Sequence, residues 1–118
     1  MTDNSSDNNP DYLGHRQRLK ERFMAGSGRD MPDYEILEII LMYVIPRRDT
    51  KPLAKQLINR FGSLAAVLNA PDYELTEFSG LTFNGVVLLK IILMASVRAS
   101  WQNLAASTEP ILNKMDDM

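Results

Sequence analysis

The segment RRDTKPLAKQLINRFGS, residues 47–63, constrains the fold most because it carries the signals for both ends of one helix. Asp49 or Thr50 can cap the first turn, and Pro52 is tolerated there because its missing N–H would have no helical acceptor. Gly62 can adopt the left-handed conformation that ends a helix. The buried positions share one face of the predicted helix: Leu53, Leu57 and Ile58.

Similar signals predict further helices at residues 12–24, 33–45, 64–68, 73–78 and 83–104. No segment alternates apolar and polar residues with a period of two, so no strand is predicted. We therefore expect an all-α fold, a compact domain of five or six helices centred on the second and last ones. Residues 1–11 are predicted to be a disordered tail, 12–104 the helical domain, and 105–118 a tail or the start of a linker.

Composition allows one domain and excludes several classes of protein. The 118 residues include no cysteine, which rules out disulfides and thiolate metal sites. The N-terminus lacks the basic and apolar regions of a signal peptide. The longest apolar run, Val86 to Val97, is interrupted by Lys90 and is shorter than the roughly 20 residues of a membrane span. We expect a soluble, cytoplasmic protein that does not contact a membrane.

Charge is distributed unevenly around a net value of -2. Residues 15–60 contain ten Lys and Arg against six Asp and Glu, whereas the flanking segments are acidic. An anion-binding surface is therefore expected in the first half. HRQRLKER, residues 15–22, either lines a phosphate backbone or forms a solvated helix face; the second is the plainer interpretation because Arg and Lys are good helix formers.

IPRRDTKP, residues 45–52, places two arginines in a proline-bounded turn before a helix. Arginine forks bind phosphate bidentately, and helix N-terminal N–H groups bind anions. In the alternative interpretation, Arg47 or Arg48 pairs with Asp49 or Glu38, or caps the carbonyl groups that end the second helix. The sequence leaves both interpretations open.

EFSGLTFNGVVLLK, residues 77–90, fits a helix-hairpin-helix template, in which backbone N–H groups of the hairpin hold a phosphate. Gly80 can take the positive φ of the turn, and Thr82 can cap the following helix. A plain corner between two helices is the alternative. Enzymatic chemistry is not indicated: one histidine and scattered carboxylates give no metal-ligand set, and no P-loop or nucleophile elbow is present.

The stretch PDYEILEIILMYVIPRRDTKPLAKQLINRFGSLAAVLNAP, followed by the Gly80 hairpin, resembles the N-terminal helical domain of the RadC family, also called the UPF0758 domain. The likeness covers Gly14 to about Trp101. The resemblance implies an all-helical domain with a helix-hairpin-helix motif, a DNA-repair association, and a separate JAB/MPN-type zinc domain with an HxHPxG signature. That zinc domain is absent from this sequence, and EPILNKMDDM resembles its entry, so a fragment or truncated reading frame is expected.

The hairpin departs from the family pattern Gly-Ile-Gly-Pro-x-Lys, because Thr82 replaces the second glycine and Gly85 the basic residue. The hairpin is therefore predicted to form but to hold phosphate poorly. We expect a noncatalytic module, without a cofactor or small-molecule substrate, that binds DNA weakly. The predicted DNA contacts are Arg47, Arg48, Lys51, Gly80, Leu81 and Thr82. The alternative is a protein-interaction or regulatory domain for the zinc domain, without DNA contact.

Overall fold

The computed structural model describes residues 11–117, with side chains over residues 14–107. This part of the chain forms six α-helices and contains no strand, as predicted. The helices are α1 (Asp11–Gly26), α2 (Asp33–Met42), α3 (Lys51–Phe61), α4 (Leu64–Asn69), α5 (Asp72–Leu75) and α6 (Phe83–Asp117). The tail predicted at residues 1–11 lies outside the described residues except for Asp11, the first residue of α1.

The helix ends follow local chemistry that the sequence displays. Gly62 ends α3 with a φ of 102°, in the left-handed region. Ser63 caps α4 by accepting a hydrogen bond from the Ala66 N–H at 3.1 Å. At α3, Thr50 holds the N-cap position but its side chain makes no capping hydrogen bond. Asp49 Oδ1 accepts from the Lys51 N–H at 3.0 Å, whereas the Thr50 hydroxyl donates to the Glu38 carbonyl oxygen.

The main core lies between α2, α3, α4 and the first turns of α6. Its members are buried leucine, valine, isoleucine and alanine side chains: Leu37, Leu41, Ile45, Leu53, Ala54, Leu57, Val67, Leu68, Ala70, Leu75, Leu81, Val86 and Leu89. A second cluster, Leu19, Ile39 and Met42, joins α1 to α2, with Phe23 and Met31 packed against it. Helix α2 faces both clusters, which explains why its sequence leaves little polar surface.

Three helix ends differ from the sequence prediction by three residues or more. Helix α2 ends at Met42 rather than next to Pro46, because residues 43–50 form a turn. Helix α5 is one turn long and ends at Leu75. Helix α6 continues to Asp117, past the predicted end near Leu104. Its described side chains from residue 94 to 107 are all exposed, so the second half of α6 leaves the core.

Helix α6 also bears on the expectation that the protein avoids membranes. Within the described residues, one stretch, residues 83–107, is long and apolar enough to cross a membrane by length and composition. It is longer than the apolar run considered in the sequence because Ala, Ser and Trp side chains extend it. However, Val86 and Leu89 in this stretch lie in the core, and Lys90 donates to the carbonyl oxygen of Leu68 at 2.9 Å. The first turns of α6 are therefore part of the folded domain.

Candidate nucleic-acid interface

The turn that connects α2 to α3 meets the turn that precedes α6. We call residues 43–50 the arginine turn and residues 76–82 the Gly80 turn. Together they enclose an open cavity of about 330 Å³. The arginine turn contributes apolar and basic residues, and the Gly80 turn contributes two small ones. The lining residues are Val44, Ile45, Pro46, Arg47, Arg48, Gly80 and Thr82. This arginine cavity brings together two motifs that are 32 positions apart in the sequence.

Both arginine side chains of the cavity are exposed, and within the described part of the chain neither forms an ion pair. The partners of the alternative interpretation are used elsewhere. Glu38 binds His15, with 2.8 Å between Oε2 and Nε2. The Asp49 carboxylate accepts the Lys51 backbone N–H. Two guanidinium groups without a carboxylate partner form a site that can take a phosphate.

A third arginine, Arg16 of α1, fixes the shape of the arginine turn from the inside. Its side chain is 7% exposed, and its guanidinium donates to four backbone carbonyl groups. The acceptors are the carbonyl oxygens of Met42 at 3.3 Å, Ile45 at 2.6 Å, Pro46 at 3.2 Å, and Arg48. These carbonyl groups follow the end of α2, where the helix dipole favours a cation. The capping role proposed for Arg47 or Arg48 is thus filled by Arg16.

The Gly80 turn has the conformation that the sequence predicts. Gly80 has a φ of 94°, and the Leu81 N–H donates to the Phe78 carbonyl oxygen at 3.1 Å. A Cβ atom at position 80 would collide with the guanidinium of Arg48. Glycine is therefore favoured here by its backbone angle, whereas the exposed end of the Arg48 side chain can move away from an added Cβ atom.

Thr82 caps α6, as predicted, since its Oγ1 accepts the Gly85 N–H at 3.3 Å. This bond occupies one of the N–H groups that an anion at the helix end would use. Gly85 itself is buried, and a Cβ atom there would lie 2.6 Å from Cδ1 of Leu81. Its backbone is thus covered by the Leu81 side chain, so a basic residue at this position would first have to displace that side chain.

The two remaining predicted contact residues lie beside the cavity rather than in its lining. Lys51 is the half-buried first residue of α3. Leu81 is 6% exposed and belongs to the main core, so only its backbone belongs to the turn surface. Of the six predicted contacts, the structure brings Arg47, Arg48, Gly80 and Thr82 together in one cavity.

The basic face of α1 is largely engaged in structural contacts. Arg16 is buried, which neither sequence interpretation of HRQRLKER anticipated. Arg22 pairs with Glu35 of α2, with 2.7 Å between Nη2 and Oε1, and this hydrogen bond raises the pKa of Arg22. Lys20 lies over the ring of Tyr43, 5.2 Å from its centroid. The exposed charge on this helix is consequently smaller than its sequence indicates.

His15 and Glu38 form the other polar contact between α1 and α2. The Glu38 side chain is 1% exposed, and burial raises the pKa of its carboxyl group, while the hydrogen bond from His15 opposes that shift. Over the described residues, no group of three or more His, Cys, Asp or Glu side chains is arranged to hold a metal ion.

Comparison with known proteins places these features in a family. A UPF0758 protein of Ruegeria pomeroyi is 40% identical over 110 residues, which cover 88% of this chain and 49% of that relative. A UPF0758 protein of Fusobacterium nucleatum is 44% identical over 82 residues, which cover 70% of this chain and 35% of that relative. The chain belongs to the UPF0758 family. It spans about half, or less, of the length of these UPF0758 relatives.

No family model matches the chain, and no solved structure matches it. The resemblance stated from the sequence is thus confirmed at the level of the UPF0758 family and the all-α fold.

Sequence reasoning missed two features of the interface. The first is the clamp formed by Arg16, which lies 29 residues from Ile45 in the chain, so no local pattern connects them. The second is Phe83, the residue after Thr82, whose side chain is 79% exposed. The helical period gives no signal for this exposure, because Phe83 lies three positions before the buried Val86 and residues three apart share a helix face.

Proposed function

We propose that this UPF0758 chain is a noncatalytic nucleic-acid-binding module that binds DNA weakly through its phosphate backbone. The observation that carries the proposal is the arginine cavity, where two guanidinium groups that form no ion pair with any described residue lie beside a glycine turn and the start of a long helix. In this proposal the Gly80 turn and α6 act as a helix-hairpin-helix motif. The arginines supply bidentate donors, and the N-terminal end of α6 supplies a positive dipole.

Weak binding is part of the proposal. The Gly85 N–H is already bonded to Thr82, which leaves fewer backbone donors at the helix end. The net charge of -2 adds a general repulsion from polyanions, so attraction must come from the local basic surface. Phosphate contacts of this kind carry no base sequence information, so little sequence preference is expected.

A salt series tests the proposal. Binding of a fluorescein-labelled DNA is measured by anisotropy at several salt concentrations for the native chain and for the double variant Arg47→Ala/Arg48→Ala. Each lost phosphate contact lowers the slope of log affinity against log salt by about 0.7–0.9. We expect the double variant to bind more weakly and its slope to be smaller by roughly 1.5.

The matched control is Arg18→Ala/Arg22→Ala, which removes the same charge from α1. This control should reduce affinity less than the change in the arginine turn. A larger loss in the control would move the interface to α1. Absence of any salt-dependent binding by the native chain would overturn the proposal.

A second function has its own observation. The exposed side of α6 carries a row of apolar side chains three or four positions apart: Val87, Ile91, Met94, Val97, Trp101 and Leu104. A continuous apolar face on a helix indicates a protein contact. In this alternative the chain is a protein-interaction or regulatory domain, and the face docks the JAB/MPN-type zinc domain that the RadC resemblance implies for the longer relatives.

Charged substitutions separate the two functions. Met94→Glu/Val97→Glu should leave DNA binding and helical content unchanged if the arginine cavity is the active surface. If α6 is a docking surface, the variant should lose association with a separately produced second half of a UPF0758 relative, measured by calorimetry. Within these proposals, the protein is cytoplasmic and DNA-repair-associated, and catalysis belongs to a domain outside this sequence.

A further inference from the structure

We infer that the arginine cavity takes an unpaired nucleotide, so that the module prefers single-stranded to double-stranded nucleic acid, with Phe83 as the base-stacking residue. The inference rests on the proposed function and adds the class of ligand. It draws on the exposed aromatic side chain, the mixed apolar and basic lining of the cavity, and the lack of an acidic side chain in that lining.

Phe83 is the strongest single feature. At 79% exposure, it exceeds every other exposed large hydrophobic side chain in the described part of the chain. It follows the lining residue Thr82 directly, so its Cα lies about 3.8 Å from that of Thr82. Its backbone therefore adjoins the lining of the cavity that carries Arg47 and Arg48. Aromatic side chains beside a basic groove are the platform on which single strands stack their bases.

The cavity has an apolar side and a basic side, and this combination suits one nucleotide. Val44, Ile45 and Pro46 form an apolar wall, and the two arginines form a basic wall. The volume, about 330 Å³, is at the small end of the range for ligand pockets. A phosphate suits the guanidinium groups and a base face suits the apolar side. A duplex hides its base faces within the stack, and exposing one costs a few kcal/mol.

A second exposed aromatic residue, Tyr43, also adjoins the cavity lining in sequence. Tyr43 precedes the lining residue Val44, is 67% exposed, and has Lys20 Nζ at 5.2 Å from its ring centroid. Aromatic rings interleaved with cations are typical of surfaces that bind single strands. Tyr43 and Phe83 are thus each adjacent in sequence to a residue that lines the cavity.

The experiment compares three fluorescein-labelled probes by anisotropy at low salt. They are a 12-nucleotide single strand, the duplex of the same sequence, and a 12-unit strand with abasic sites in the central positions. The native chain should bind the single strand roughly tenfold more tightly than the duplex or the abasic strand. Phe83→Ala should lower affinity for the intact strand roughly tenfold and leave the abasic strand unchanged.

Two variants control the result. Tyr73→Ala removes another exposed aromatic ring, from α5 and outside the cavity lining, and should change none of the affinities. Phe83→Trp should retain the preference because it keeps a stacking ring. Circular dichroism of each variant should match the native spectrum, since Phe83 is exposed and makes little contribution to the core.

The possible failures are distinguishable. Equal binding of strand and duplex, unaffected by Phe83→Ala but weakened by Arg47→Ala/Arg48→Ala, overturns this inference and leaves the proposed function standing. Absence of salt-dependent binding to any probe overturns both. Loss of duplex binding and strand binding to the same extent in Phe83→Ala also overturns the inference, because stacking requires an unpaired base.

Discussion

Two cavities of this domain each carry a pair of arginines, and they differ in what surrounds the charge. The first, about 270 Å³, lies where α1 meets the following turn and is lined in part by Arg22, Arg29 and Asp30. Arg22 is also bonded to Glu35. In the second, the arginine cavity, no acidic side chain is in the lining. The number of arginines in a region thus says less about anion binding than the carboxylates beside them.

The arginines of the two basic motifs also differ in their surroundings. HRQRLKER contributes Arg16 to the interior, where it binds backbone carbonyl groups and holds the arginine turn. IPRRDTKP contributes Arg47 and Arg48 to the surface. HRQRLKER therefore holds the arginine turn in shape, and IPRRDTKP supplies the exposed arginines. Four predictions test this division, in order of decreasing effect.

The largest effect is expected from Arg16→Ala. The change leaves the carbonyl groups of Met42 and Ile45 buried without their donor, so the free energy of unfolding should fall by about 3 kcal/mol. Urea denaturation measures it. Arg18→Ala, two residues along the same helix and exposed, is the control and should leave stability unchanged. A loss below about 1 kcal/mol for Arg16→Ala would show that the clamp is not structural.

The next effect concerns Gly80→Ala, which adds a Cβ atom in a left-handed conformation and against the Arg48 guanidinium. We expect a loss of about 1–2 kcal/mol in stability from the strained backbone, and weaker DNA binding because Arg48 must move. Gly62→Ala is matched to it, since Gly62 has a φ of 102° and no atom within 4 Å of the added Cβ. Equal loss of DNA binding in both variants would contradict a specific role for Arg48.

A smaller effect, a gain in DNA affinity, is expected from Thr82→Gly. Removing the hydroxyl frees the Gly85 N–H and opens the backbone, so DNA affinity should rise roughly threefold with a steeper salt slope. The cost in stability should be a few tenths of a kcal/mol, because glycine is itself an acceptable N-cap. Ser63→Gly removes the equivalent cap from α4 and should not change binding. Unchanged affinity in Thr82→Gly would mean that the turn is a structural corner.

The smallest effect is a pH dependence at the contact between α1 and α2. Burial raises the pKa of Glu38, so the folded state holds its proton more tightly than the unfolded state does. This contribution is full below the ordinary value of 4.5 and is lost as the pH rises through the raised pKa. The native chain should therefore lose stability relative to Glu38→Gln as the pH rises from 4.5 to 7.5. The charged or titratable groups that face Glu38 are His15, Asp49 and Lys51.

Urea denaturation of both proteins at the two pH values measures this difference. DNA binding, corrected for the fraction folded, should be the same in both, because Glu38 does not line the arginine cavity. A difference in stability that moves in the opposite direction would mean that the His15 contact outweighs burial.

Local sequence signals predicted most of the fold, and particular residues show why. The Gly62 stop, the Ser63 cap, the Thr82 cap and the Gly80 turn each depend on chemistry within a few positions, so the sequence alone determined them. Helix α2 was predicted too long because Pro46 disfavours helix only in the residue before it. The end of α2 at Met42 comes with a turn held by Arg16, which is distant in sequence.

Local residue patterns were enough to predict the UPF0758 resemblance, the six helices and the two arginines before α3. The packing of the helices determines which arginines form no ion pair with the described residues. Arg16 is buried and binds backbone carbonyl groups, and Arg22 pairs with Glu35. Arg47 and Arg48 line one cavity with Gly80 and Thr82. The physical reason is that caps and turns are satisfied within one or two turns of backbone, whereas the partner of a long charged side chain is chosen by the packing of helices that are distant in the chain.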